Sequence, residues 1–156
     1  MAQKDNRARS LARLAAVQAL YQMEATSAGV ETVILEFEAH RLGGDLDGVG
    51  IHEADSTLFG ELVRGVVGAQ RRIDPFIERQ LAEKWTLSRL DATARAILRA
   101  GVYEMTMRPE TPFKVVIDEY VEIANAFFGG PEPQFINAVL DAAARETRSD
   151  EFAQGA

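Results

Sequence analysis

Apolar residues recur along this chain at spacings of three and four, and no stretch alternates apolar and polar positions as a strand would. The richest run is Ser88 to Met107. Leu90, Ala94, Ile97, Leu98, Gly101, Val102 and Met105 follow the helical period there, while Ala92, Ala96 and Ala100 leave little bulk on the flanks. A helix apolar over most of its circumference belongs in an interior, so this one is expected to be the axis of the fold. Ser88 is its expected cap, with Asp91 three residues on reaching back. Residues 6–26 predict a first helix with the stripe Leu11, Leu14, Ala15, Val17, Leu20 and Tyr21, and residues 31–41 a shorter one with Val33, Ile34 and Phe37 inward. Residues 42–55 hold four glycines and predict a surface loop.

A third helix is expected from Asp55 or Ser56 to about Arg72, burying Leu58, Leu62, Val63, Val66 and Val67 and using Gly65 and Gly68 for close helix contact. Asp74-Pro75 predicts a restart, with aspartate as cap and proline in the first helical position. Phe76, Ile77 and Leu81 then pack inward, and Trp85 anchors the connection to the axial helix. Thr111-Pro112 repeats the cap-and-proline pattern before a helix striped by Val116, Tyr120, Ile123 and Phe127. After a turn at 129–133, a last helix from about Gln134 to Arg145 buries Phe135, Ile136, Val139 and Leu140, and the tail beyond Arg148 frays. The pattern is all-α, with about seven helices.

Composition narrows the function. The 156 residues contain no cysteine, which removes disulfides, thiolate metal sites and cysteine nucleophiles. No apolar run reaches the roughly 20 residues of a membrane helix, and Arg13 and Gln18 interrupt any signal-peptide core, so a cytoplasmic protein without membrane contact is expected. The net charge of −7 argues against nucleic acid, but its distribution does not. Residues 1–21 carry four bases against one acid, 22–63 one against nine, 64–99 eight against four, and 100–156 four against ten. Blocks of this kind put a basic face on an acidic protein.

Chemistry has few candidates. His40 and His52 flank the glycine-rich loop without partners at helical spacing. Glu119 and Glu122 share a helix face, but nothing marks a pocket around them. The loop lacks the bidentate acid of a calcium site. No enzyme activity, metal or cofactor is expected. Asn137, set among apolar neighbours, is expected to tie down the preceding turn. Arg9 and Arg13 stand four apart on one face of the first helix, with Arg7 elsewhere or in the fraying end. Cations there oppose the helix dipole at a cost of about a few tenths of a kcal/mol each. The residues alone leave two readings, a solvated basic face or a ligand contact.

Three segments, in order and spacing, resemble the NusB family of bacterial transcription antitermination factors. They are RLAAVQALYQ (Arg13 to Gln22), RAILRAGVYEM (Arg95 to Met105), and a third running from Pro112-Phe113-Lys114-Val115 through Asp118-Glu119 to Phe135-Ile136-Asn137-Ala138-Val139-Leu140. The resemblance implies two packed helical bundles, about 6–72 and about 74–148, in a single RNA-binding domain over 1–148, with 149–156 as tail. It implies no enzymatic activity. It also implies binding of single-stranded boxA RNA from ribosomal RNA leader transcripts, as a heterodimer with NusE, a small-subunit ribosomal protein, within an antitermination complex on RNA polymerase. The implied RNA contacts are Arg7, Arg9 and Arg13 of the arginine-rich first helix, with Gln18, Tyr21 and Phe135.

The departures are Asp118 for asparagine, Asn125 for a lysine, Pro133-Gln134 for serine-lysine and Ala94 for a glutamate, so the region before Phe135 loses basic character. Arg95 and Arg99 either anchor ion pairs at the junction, the favoured reading, or edge the partner-binding face. The alternatives are a protein-interaction module, or a homodimer burying its basic helix. A domain fronting a ribosomal RNA methyltransferase is disfavoured, because no Rossmann segment or cysteine nucleophile is present.

Overall fold

The computed structural model describes residues 2–39, 54–81 and 86–151. They form six α-helices and one 3-10 turn, without a strand among them: α1 (Ala2–Thr26), α2 (Val30–Phe37), α3 (Ser56–Gln80), the turn Leu87–Arg89, α4 (Ala92–Met107), α5 (Phe113–Phe127) and α6 (Glu132–Thr147). The all-α expectation holds. His40, His52, Trp85 and most of the glycine-rich loop lie outside the described residues. Contacts divide the chain into two compact units, Met1–Val67 and Gly68–Ala156.

In the first unit α1 packs on α2. Its core joins Ala12, Ala15, Ala16, Val17 and Ala19 to Val33, Ile34 and Phe37 and to Phe59, Leu62, Val63 and Val66 of α3. The Phe37 and Phe59 rings stack with centroids 5.4 Å apart. Asp55 caps α3 by accepting the Leu58 N–H at 3.0 Å, while its own N–H donates to the Ala8 carbonyl of α1 at 3.0 Å. Arg64 of α3 holds Glu31 of α2 through two bonds of 2.8 and 2.9 Å. That bonding, more than charge alone, lowers the Glu31 carboxyl below its ordinary range. α1 ends where Ser27 turns into the left-handed region at φ 60°, letting its N–H return to the Met23 carbonyl.

In the second unit α4 is the axis, packed by both α5 and α6, and it is buried almost continuously from Ala94 to Met105. The buried Glu104 carboxylate accepts the Tyr120 hydroxyl at 2.8 Å. Its cap differs from expectation. Leu90 is extended, so the helix starts at Ala92 and Asp91 is the N-cap, accepting from the Thr93 and Ala94 N–H groups. Ser88 falls in the preceding 3-10 turn. Arg95 donates to the carbonyls of Leu87, Ser88 and Leu90, fastening that turn to the helix.

The restart expected at Asp74-Pro75 does not occur. α3 runs through Pro75 without a break, although proline removes one helical bond and costs about 3 kcal/mol in an ordinary interior. Buried Ile73, Ile77 and Leu81 hold the chain on both sides of it. Asp74, freed from capping, accepts Arg99 Nε and Nη2 at 2.9 Å each. Arg99 therefore anchors an ion pair, but within this unit and not at the junction where one was expected. Val67, expected inside, is outside at 37% exposure, as are Tyr21 of the first helix and Phe127, each at 46%. Gly68 is exposed, and a β-carbon there would meet nothing within 4 Å, so it makes no close helix contact. Asn137 is exposed too: Ile136, Val139 and Leu140 take the inner face of α6 and leave residue 137 outside.

At the C-terminal end, Arg148 is buried and donates to the carbonyls of Met105, Arg108 and Thr111 and to Glu151. These carbonyls lie at and just beyond the end of α4, where the helix leaves them without partners of its own. Glu151 in turn accepts the Phe113 N–H at 2.8 Å, at the start of α5, so Pro112 stands before the helix rather than inside it. Burial pushes the Glu151 carboxyl up, but the Phe113 N–H and Arg148 together outweigh it and leave it below its ordinary value. Where fraying was expected after Arg148, the chain is ordered into helix as far as Glu151.

Candidate nucleic-acid interface

At 3.6 residues per turn, Arg7, Leu11, Leu14, Gln18 and Tyr21 fall in one line along α1. Their burial agrees. Arg7 is exposed, Tyr21 is 46% exposed, and Leu11, Leu14 and Gln18 are half-buried. The opposite side holds the buried residues Ala12, Ala15, Ala16, Ala19 and Leu20. Arg9 and Arg13 do share a face, but it is this packed one. Arg9 is half-buried and donates to Asn6 Oδ1. Arg13 is only 3% exposed and is engaged by other groups of the protein. The structure thus brings Arg7, Gln18 and Tyr21 together at the surface, leaves Arg9 at the border, and turns Arg13 inward.

The outward stripe offers three kinds of recognition at once. Arg7 supplies a guanidinium, Tyr21 a flat ring, and Gln18 an amide. The Gln18 Oε1 is itself buried and has no hydrogen-bond partner within the protein, beside the half-buried Leu11 and Leu14. Such a set suits an unstacked, charged strand better than it suits catalysis.

Phe135 belongs to the second unit. It is half-buried near the start of α6 and lines a cleft of about 470 Å³ with Leu90, Ala94 and Pro131. Glu132, at the first position of α6, also lines this cleft and was not singled out from the sequence, because the helix begins two residues earlier than its pattern suggested. Among the described residues, no group of three or more His, Asp or Glu could hold a metal ion.

Two compact helical units, with an arginine–glutamine–tyrosine stripe on the outside of the first helix, define a small all-α protein. Its relatives give that class a name. The chain belongs to the NusB family of transcription antitermination proteins, whose profile matches residues 10–145. The transcription antitermination protein NusB of Caulobacter vibrioides is 58% identical over 140 residues, covering 90% of this chain and 94% of the relative. That of Maricaulis maris is 54% identical over 150 residues, covering 95% and 94%. Among solved structures, NusB of T. maritima aligns over 96% of both chains with a TM-score of 0.76 and 30% identity. A protein chain in a crystal structure of a plectonemic RNA supercoil aligns over 90% of this chain and 96% of its own, with a TM-score of 0.74 and 24% identity, a likeness of fold.

Proposed function

We propose that this protein binds the single-stranded boxA element of ribosomal RNA leader transcripts as a heterodimer with NusE, and that it acts within an antitermination complex on RNA polymerase in the cytoplasm. The observation that carries the reading is the outward stripe of α1, on a chain of the NusB family. Arg7 meets phosphate, Tyr21 offers a stacking plane, and Gln18 bonds a base or sugar edge. Arg9 adds charge from the border, and Arg13 serves by fixing the helix. An acidic protein binds RNA in this way because the contact is local and a basic ribosomal partner supplies further positive field. No helix among the described residues is long and apolar enough to cross a membrane.

The test is a fluorescence titration of boxA RNA and a scrambled control, with and without NusE. Arg7→Glu combined with Tyr21→Ala is expected to weaken boxA binding by about tenfold or more, since one stacked base alone is worth roughly 1–3 kcal/mol. Helicity and NusE affinity should be retained. Unchanged RNA affinity would remove α1 from the interface. A homodimer is the second reading, favoured by the half-exposed Leu11 and Leu14 within the stripe. It requires that the same double variant shift the sedimentation of the protein alone.

A further inference from the structure

An exposed leucine on the first unit and an apolar groove on the second complement each other in size and charge. Leu35 of α2 is 66% exposed, the most of any large apolar side chain among the described residues. Glu31 and Glu38 stand about one turn to either side of it, and all three face outward. Glu31 is shared with Arg64 of the same unit, whereas Glu38 makes no hydrogen bond and feels Arg64 only at a distance. On the second unit, α3, α4 and α6 leave a groove of about 170 Å³, walled by Ala69, Ile73, Phe76, Val102 and the half-exposed Met107. Arg72 is the one charged side chain among its described lining residues, and it is exposed, with no ion pair or hydrogen bond of its own. Arg79 lies over the Phe76 ring at 5.1 Å and reaches Glu146 at 3.7 Å, an exposed pairing worth little.

We infer that this groove receives Leu35 from a second copy of the chain, so that copies associate head to tail, the first unit of one against the second unit of the next. A hollow of roughly 150 Å³ takes one benzene-sized apolar group, so the groove takes one leucine side chain. The charges fall at matching distances. Arg72 and Arg79 bracket Phe76 over two turns of α3, about 10.5 Å, and Glu31 and Glu38 bracket Leu35 over the same number of residues. With the two helices antiparallel, Leu35 enters the groove, Glu38 meets the unused Arg72, and Glu31 turns its outer side to Arg79. The wider surroundings agree: residues 22–63 carry nine acids against one base, and residues 64–99 eight bases against four acids. A guanidinium on the lining favours an acidic occupant over a basic one, and an RNA phosphate brings no alkyl group to fill the groove. Knob and socket are different patches, so the contact is heterologous and continues from copy to copy unless a ring closes. It uses neither Arg7, Gln18 nor Tyr21, which separates it from a homodimer formed through α1 and makes it independent of the RNA reading.

The test is sedimentation velocity of the full chain alone, from micromolar to millimolar concentration, because a contact this small is weak. The mean mass of the wild type is expected to rise with concentration, and less so as potassium chloride is added. Leu35→Asp and Arg72→Glu should each weaken association by about tenfold or more, as loss of an interface anchor does. Both positions are exposed, so both variants should keep the wild-type circular dichroism. Mixing the two variants is the decisive arm. The intact Leu35 of one then meets the intact groove of the other, and association returns but stops at two copies. Glu38→Arg combined with Arg72→Glu in one chain exchanges the charges and should restore association. A wild type that stays monomeric throughout overturns the proposal. So does a Leu35→Asp or Arg72→Glu protein that associates like the wild type, or a mixture of the two that remains monomeric. Association abolished by Arg7→Glu with Tyr21→Ala, yet unchanged in Leu35→Asp, assigns it to α1 and also overturns the proposal.

Discussion

Arg13 shows how far a single residue can be read from its spacing. The sequence places it correctly in phase with Arg9, one turn away, but does not say which face of α1 is packed. Large apolar residues pointed to Leu11, Leu14 and Tyr21 as the inner side. The core instead uses the alanine side, Ala12, Ala15, Ala16 and Ala19, where small side chains permit close approach and an arginine becomes enclosed. Hydrophobicity alone ranks leucine above alanine; shape reverses the choice here. The consequence is measurable. Arg13→Glu is expected to lower the unfolding free energy by about 3 kcal/mol or more, as for other buried charges stripped of their partners. Arg7→Glu should change it by no more than about 0.5 kcal/mol, as for an exposed surface site. Urea denaturation of the two variants separates them, and equal midpoints would mean that Arg13 is not enclosed in solution. A double reversal of Arg9 and Arg13 therefore tests folding before it tests RNA binding.

Among the elements, type and order were legible, since each helix has its own apolar stripe. Boundaries were less so where local chemistry has two outcomes. Asp74-Pro75 is an acceptable helix start and also an acceptable interior when Arg99 claims the aspartate and buried isoleucines hold both flanks. Asp91 could serve at the third helical position or as the cap, and the extended Leu90 decides for the cap. Glycines divide in the same way. Gly68 and Gly101 both lie inside helices, yet a β-carbon at Gly101 would stand 2.9 Å from Leu140 Cδ2 and 3.4 Å from Tyr120 Cδ2, while Gly68 faces open space. Alanine is worth up to about 1 kcal/mol over glycine in a helix interior, and overpacking a core costs about 1–3 kcal/mol. Gly68→Ala should therefore raise the thermal midpoint, and Gly101→Ala should lower it despite the same gain in propensity. If both variants gain stability, the α4–α6 contact is looser than the geometry indicates.

For the whole molecule, the informative quantity is where charge lies rather than its total of −7. Under the proposed function the basic excess of residues 1–21 is the local field that RNA would meet, but burial of Arg13 removes one of its four cations from the surface. That subtraction changes a number that can be measured. Each phosphate neutralised on a single strand contributes about −0.7 to the slope of log affinity against log salt. With Arg7 and Arg9 as the contacts on α1, the protein alone should give a slope of roughly −1.4. Adding NusE, the proposed partner, should steepen it, because a basic ribosomal protein brings cations of its own. Titrations at several potassium chloride concentrations, with and without NusE, read this directly. A slope near zero for the protein alone would mean that neither arginine touches phosphate. A slope of about −2 or steeper would require a third cation, and Arg13 could supply it only by leaving the core of the first unit, at the stability cost expected of its reversal.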